Sequence, residues 1–261
     1  MSENLETVPV AAVESKRRSM LADLVIRLVQ EKPLGTVGAV IVMVLLIVGI
    51  IADFIAPYGM NEINLSARLI PSSPEHILGC DNLGRDLFTR IIYGARVSMY
   101  IGFGATAISV LVATIIGLIS GYFGGKADII IQRFVDAWIC FPGLFIILTV
   151  MVILGGGTLQ VLFVLGLTNG IGTSRIVRSA VMAIRENTYI DGVRAIGASN
   201  TRILLRHLLP NVMAPIIVIF SISIGGMILT EAALSFLGFG INPPTPSWGG
   251  MLSGAGRLYM Q

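Results

Sequence analysis

The feature that most limits how this chain can fold is a set of apolar runs too long for a soluble core. Five stand out: Leu34–Ala56, Val97–Tyr122, Phe134–Leu154, Leu159–Ile176 and Val212–Gly238. A helix rises about 1.5 Å per residue and the hydrocarbon core of a bilayer is about 30 Å thick, so about twenty residues cross it. Lipid offers no partner for an open backbone N–H or C=O, so such runs must be helical. The fourth run is the shortest and ends in the interrupted stretch "GLTNGIGTSR". Composition agrees, with 54% hydrophobic and 13% charged residues and a mean hydropathy of +0.85, against about 25% charged in a soluble domain. The expected fold class is an all-α integral membrane protein, a helical bundle in which lipid is the solvent. The first run follows a polar leader, exceeds a signal-peptide core and has no small-residue cleavage site after it, so it reads as a retained span.

Orientation follows from Lys and Arg in the short connections. Thirteen of the 18 lie before the first run, between the second and third, or between the fourth and fifth. These include Lys16, Arg17, Arg18, Arg27, Arg175, Arg178, Arg194, Arg202 and Arg206. Five lie on the other side: Arg68, Arg85, Arg90, Arg96 and Arg257. The N-terminus is therefore expected in the cytoplasm and the Pro57–Tyr93 connection outside. The position of these charges matters more than the net charge of +3, and no nucleic acid is expected as a partner. The division along the chain reads as a cytoplasmic segment 1–33, a first span with its external loop 34–93, and a transmembrane domain 94–261 that carries a cytoplasmic loop 185–211.

Several stretches invite a chemistry that their context removes. "GYFGGKAD" has Ser120 where a phosphate loop needs Gly, and Ala127 follows Lys126 where a hydroxyl would hold Mg²⁺. It reads as a tight turn, so the chain is not expected to bind ATP itself. "GFGATA" (Gly102–Ala107) lies inside an apolar run, where small residues let helices approach closely. His76, Cys80 and Asp81 lack further ligands nearby to complete a metal site, so no metal or cofactor is expected. Asp81 precedes Arg85 by four residues and Asp86 precedes Arg90 by four. On a helix each pair would face across one turn, giving a salt-bridged external cap. His76 and His207 fall on opposite sides of the membrane, and no catalytic triad can be assembled, so an enzyme reading has no support. Cys80 and Cys140, one in a polar loop and one in a span, are not expected to pair. Asp53, Asp128, Asp136 and Glu231 are the acids within or near spans. Glu231 is the deepest, and an acid at that depth either pairs between helices or lines a polar pathway.

The stretch "YIDGVRAIGASNTRILLRHLLPN" (Tyr189–Asn211) is the most informative. Asn187–Ile196 reads as a short helix that Gly197 ends with a positive φ. Ser199 caps a second helix, Asn200–Leu208, and Pro210 is expected to stop it. Ile203, Leu204 and Leu208 share an apolar face while Arg202 and Arg206 line another. Such a helix fits either lipid headgroups or a groove on a cytoplasmic partner.

The same stretch resembles the cytoplasmic "EAA" loop of ATP-binding-cassette importer permeases. Gly197 and Leu209-Pro210 match its Gly and Leu-Pro, whereas Asp191-Gly192-Val193 stands where Glu-Ala-Ala is usual. "IADFIAPYG", "HILGCDNLGRDLFTRIIYGARVS", "ISGYFGGKAD" and "EAALSFLGFGINPPTPSWGGML" are similar to the C-type membrane subunit of the dipeptide, oligopeptide and nickel branch, Cys80 replacing a common Thr. The resemblance covers nearly everything from Leu34 onward. It implies the type I importer permease fold with five spans present and the sixth missing, since such subunits continue into a sixth span and a polar tail. It implies a permease subunit without its own ATPase site, forming half of a pathway for di- or oligopeptides in a bacterial or archaeal inner membrane. The implied partners are a second permease subunit in a heterodimer, two cytoplasmic ATPases and an external substrate-binding protein. The coupling loop it implies comprises Asp191, Gly197, Ala198, Ser199, Arg202, Leu204, Arg206, Leu209 and Pro210; the external loop with Asp81, Arg85, Asp86 and Arg90 would face the delivery protein or the pore mouth. The alternatives within the family are nickel or glutathione-type cargo. Outside it stand a non-transporting membrane scaffold and an ion-coupled carrier using Glu231.

Overall fold

A computed structural model of the chain describes residues 29–259, with side chains through 254. The basic leader residues Lys16, Arg17, Arg18 and Arg27, and the Arg257 side chain, lie outside the described residues. The described chain divides into two units between Val44 and Leu45. Helix α1 (Pro33–Ile50) runs through the junction and is followed by a single turn, α2 (Ala52–Ile55). The second unit continues with α3 (Leu87–Phe123), α4 (Gly125–Cys140), α5 (Gly143–Leu154), α6 (Thr158–Arg185), α7 (Thr188–Ala195), α9 (Met213–Phe236) and α10 (Trp248–Tyr259). Residues 200–211, here α8, are helical throughout in three pieces described below. Among the described residues the extended backbone is limited to one isolated bridge, Cys80 to Asp86.

Three described helices are long and apolar enough to cross a bilayer, α1, α3 and α9, and the bent pair α4–α5 counts as a fourth if it is one span. The expected second run begins ten residues early, because Asp86 caps α3 by accepting from Thr89 N at 2.7 Å. At 37 residues and about 1.5 Å per residue, α3 outruns the hydrocarbon and projects beyond it. The fourth expected run lies inside the 28 residues of α6.

One expected straight span is corrected. Phe134–Leu154 is broken between α4 and α5 by a bend of 86°. Pro142 has no N–H to give, and its ring forces the preceding residue out of the helical region. Phe141 accordingly sits at φ −87°, ψ 137°.

The core of the second unit is the pair α3 and α6, packed along small residues of α3 with α9 laid beside them. One apolar cluster centres on Ile101, Ala105, Val161, Leu165 and Leu234. The other joins Ala113, Leu118, Val177 and Val181 to Ile190, Ile203 and Leu208 of the short helices. Connections gather at two ends. At one, Gly157 N donates to Gly240 O at 3.2 Å, Asn242 Nδ2 donates to Gly156 O at 2.8 Å and Trp248 Nε1 donates to Ile91 O at 3.2 Å. At the other lie the α3–α4 turn and residues 186–212, where Arg185 Nη1 donates to Gly121 O at 3.2 Å.

Candidate coupling segment and cavity

The polar stretch between α6 and α9 is built by local signals in series. Asn187 opens α7, and Asp191 pairs with Arg194 at 3.3 Å on its exposed side. Gly197 has φ +80°, a left-handed conformation that L side chains resist. Ala198 follows, half-buried, with its N–H on Val193 O at 3.3 Å. Ser199 then caps α8, its Oγ accepting from Arg202 N at 3.4 Å.

The expected stop at Pro210 is corrected here. α8 consists of Asn200–Arg202, a π-helical turn Ile203–Leu208 and Leu209–Asn211, with Pro210 inside the last piece. A proline in a regular helix would clash with the carbonyl four residues back and leave a bond unmade. The wider turn shifts the pairing, so that Leu209 N reaches Leu204 O, five residues back. The chain thus passes Pro210 without breaking, and the interruption is deferred to Val212 at φ −92°, ψ 4°.

The π turn also settles which side chains face out. Ile203 and Leu208 are fully buried against α3 and α6. Leu204 and Leu209 are half-buried, while Arg202, Arg206 and Pro210 are exposed. Two apolar residues that a regular helical reading does not single out are presented with the arginines: Leu205, 58% exposed, and Ile196, 84% exposed. The segment is tied to α3 by Tyr122, whose hydroxyl donates to Asn200 Oδ1 at 2.7 Å and whose ring lies 5.4 Å from the Arg194 guanidinium. Nothing in the spacing of the sequence links Tyr122 to Asn200, 78 positions apart.

The opposite end carries the cap expected from Asp81, Arg85, Asp86 and Arg90, wired differently. Asp81 and Arg85 pair at 2.7 Å, but in a turn, where Asp81 also accepts from Leu83 N at 2.8 Å and Arg85 N at 3.0 Å. Gly84 makes that turn with φ +72°, and a Cβ there would lie 1.8 Å from Asn64 O. Asp86 does not pair with Arg90. Its two oxygens are taken by Thr89 N and, at 3.0 Å, by His76 Nδ1. A residue at the N-cap points back over the first turn and not along the helix face, so the i,i+4 geometry is lost. Arg90, 6% exposed, instead stands 3.8 Å from Asp81 Oδ2. Among the described residues no group of three or more His, Cys, Asp or Glu gathers at one point.

A cavity of about 770 Å³ opens between α4, α5, α6 and α9. Every residue lining it is uncharged. Its polar groups are Thr168, Asn169, Thr173 and Thr230, with Trp138 at the α4 wall. Asn169 Oδ1 accepts from Ser109 Oγ at 2.8 Å and from Thr173 Oγ1 at 3.1 Å, which turns its amide nitrogen away from α3. Glu231 is not part of this wall. It is fully buried, and its Oε1 accepts from Ser235 Oγ at 2.7 Å one turn along α9, the same hydroxyl that accepts from Ile241 N at 3.1 Å.

Several helices long and apolar enough to cross a bilayer, an uncharged cavity on one flank and a basic segment packed at one end define a polytopic helical membrane protein. Comparison with known proteins gives that class its family. Residues 113–259 match the binding-protein-dependent transport system inner membrane component, and residues 19–72 match the N-terminal transmembrane domain of oligopeptide transport permease C. The chain is 39% identical over 232 residues to a dipeptide transport system permease protein of Alkalihalophilus pseudofirmus, covering 89% of this chain and 76% of the relative. It is 34% identical over 241 residues to an oligopeptide transport system permease protein of Bacillus subtilis, covering 92% and 79%. A glutathione transport system permease protein of Pectobacterium atrosepticum is 38% identical over 216 residues, covering 82% and 71%. Among solved structures, the MetNI methionine ABC transporter in an inward-facing conformation shares the fold, with a TM-score of 0.55 at 16% identity over 66% of this chain and 82% of that one. The chain belongs to the binding-protein-dependent inner-membrane permease family. It is a membrane subunit of an ATP-binding-cassette importer, a family that works with an ATPase and a substrate-binding protein.

Proposed function

We propose that this chain forms half of the translocation pathway for short peptides, and that residues 188–211 dock it onto a cytoplasmic ATPase. The observation that carries the docking is the two-sidedness of α8. Ile203 and Leu208 are buried in the body of the subunit, while Leu205, Ile196, Arg202 and Arg206 are presented outward. A rigid helix with apolar anchors flanked by cations suits an acidic-rimmed groove on a partner. Such a helix carries the partner's nucleotide-dependent movement into the spans, which rock between two openings. The chain holds no phosphate loop of its own, so hydrolysis belongs to the partner. A second, different permease subunit completes the pathway across from the cavity between α4, α5, α6 and α9. The N-terminus and residues 186–212 face the cytoplasm, as the distribution of Lys and Arg favours.

Peptide cargo rests on the dipeptide, oligopeptide and glutathione relatives and on the uncharged cavity wall, which suits amide-rich cargo of either net charge. The test is an uptake assay with the assembled transporter in vesicles. Arg202→Glu with Leu205→Asp changes two exposed side chains and leaves the buried anchors in place. The variant is expected to lose the ATPase on purification and to lose uptake. Retention of both would sink the docking assignment.

A further inference from the structure

Helix α4 forms the wall of the cavity through Trp138 and Ile139, yet its attachment to the rest of the subunit is unlike that of its neighbours. Val135 is its one buried residue. The coupling segment, in contrast, is fused to α3 and α6 by the buried side chains of Ile190, Ile203 and Leu208 and by the Tyr122–Asn200 bond. A push on α8 therefore reaches α3 and α6 directly. What passes it on to α4 is polar.

Two ion pairs tie α4 to α6. Arg178 grips Asp128 with both nitrogens of one edge, Nε lying 2.6 Å from Oδ1 and Nη2 bonding Oδ2. Those side chains are 25% and 15% exposed. The Ser120 hydroxyl on α3 donates to the same Asp128 oxygen and accepts from Gln132 Nε2 at 2.9 Å, so three helices meet at one carboxylate. Further along α4, Arg175 pairs with Asp136, which Arg133 also approaches at 3.6 Å. The two acids are eight residues apart, about 12 Å along the axis. A bidentate guanidinium–carboxylate pair fixes angle as well as distance, and shielding from water strengthens it. The Asp128 grip is of that kind; Arg175 Nη2 reaches Asp136 through Oδ1 alone, with side chains 45% and 39% exposed, and adds a second, looser point on the same helix. Together they oppose the sliding and rotation that an apolar contact through Val135 alone would permit. The second pin lies two residues before Trp138, so it sets how that indole faces the cavity.

We propose that Asp128–Arg178 and Asp136–Arg175 are positioning pairs that make the cavity wall move with the coupling segment, so that ATP hydrolysis is converted into transport. The proposal rests on the docking role assigned to residues 188–211. It gives Ser120, Gln132 and these four charged residues a task in the transport cycle that the family assignment does not contain.

The experiment uses the whole transporter, purified through this chain and reconstituted with its binding protein, with labelled trialanine as the probe. Two quantities are read: ATP hydrolysed per peptide taken up, and the distance distribution between spin labels at Ile139 on α4 and Ile176 on α6. The variant Asp128→Asn with Arg178→Gln removes the charge pair without leaving a lone ion. It is expected to assemble and hydrolyse ATP, to raise the ATP-to-peptide ratio about tenfold, and to broaden the label distances. The exchanged pair, Asp128→Arg with Arg178→Asp, is expected to recover much of the ratio. Arg175→Lys with Arg178→Lys keeps charge but loses the two-point grip, and should fall between. Equal loss of hydrolysis and uptake, an unchanged ratio, or an exchanged pair no better than the neutral one overturns the proposal. So does failure of every variant to assemble, since the pairs would then serve the fold. Loss of uptake by Arg202→Glu with Leu205→Asp, alongside an unchanged ratio here, would separate a failed pin from a failed docking role.

Discussion

Adding one methyl group to the α3–α6 seam tests whether close backbone approach holds this subunit together. At Gly117 a Cβ would stand 2.6 Å from Val177 Cβ and 2.9 Å from Arg178 N. At Gly121 it would stand 2.9 Å from Arg178 O and from Val181 Cβ. Ordinary contact begins at 3.4 Å, and two of these neighbours are backbone atoms that cannot rotate away. Relief requires α3 and α6 to part by about 0.5–1 Å, and a gap of that size forfeits a quarter to a half of each contact along the seam. Overpacking of this kind costs about 1–3 kcal/mol, so Gly117→Ala and Gly121→Ala should each lose that much. The double variant should lose about 2–4 kcal/mol and less than the sum, because the first methyl already separates the helices. Gly172→Ala on α6 is the control: a Cβ there meets nothing within 4 Å, so it should be neutral or gain up to about 1 kcal/mol of helix propensity. Reversible unfolding in mixed micelles, followed by fluorescence, reads all four, since Trp138 and Trp248 lie outside the seam and report the whole subunit. If Gly117→Ala and Gly172→Ala gave the same stability within about 0.5 kcal/mol, the close-approach argument would be wrong.

Removing the α8 cap by Ser199→Ala should cost about 1 kcal/mol of local stability, seen as faster hydrogen exchange over 200–204 with no change in α9. Asp86→Ala removes the acceptor of Thr89 N and His76 Nδ1 together and should cost about 2 kcal/mol or more, read as faster proteolysis within 57–86. Burial raises the Cys80 thiol pKa, and the carboxylates of Asp86 and Asp81 raise it further. The reactive thiolate therefore forms only at higher pH than for an ordinary cysteine, and maleimide labelling of Cys80 at pH 7 should be slow until the loop is unfolded. Glu231→Gln keeps the Ser235 contact and lies off the cavity wall, so ATP-driven uptake should persist and stay indifferent to a proton gradient; dependence on the gradient would revive the ion-coupled reading.

The parts of this protein that could be read in the sequence are those governed by one residue and its near neighbours. Apolar length predicts the spans because lipid leaves the backbone no alternative. Gly197 and Ser199 predict a helix end and a helix start because each acts within four positions. Pro142 carries the same kind of signal, and it was masked only by the apolar run around it. Pro210 shows where such rules give way. The proline alone says stop, but Ile203 and Leu208 gain more by staying buried against α3 and α6 than the chain would gain by ending. A π turn lets both demands be met, because its five-residue step brings Ile203 and Leu208 onto one buried face that a regular helix would spread by about 140°, with Leu205 left outward. Asp86 makes the same point for charges: its spacing from Arg90 suits a helix interior, but an unsatisfied N–H at a buried helix start is costly, and Thr89 N and His76 Nδ1 take both carboxylate oxygens. Asp128 with Arg178, and Tyr122 with Asn200, are separated by 50 and 78 positions. Their meeting depends on how far apart α3 and α6 sit, which Gly117 and Gly121 set. Because those glycines fix the interhelical distance and Arg178 stands beside both, a methyl placed at the seam should weaken the Asp128 grip as well as the packing. The stability of the core and the linkage of the cavity wall are thus properties of one interface.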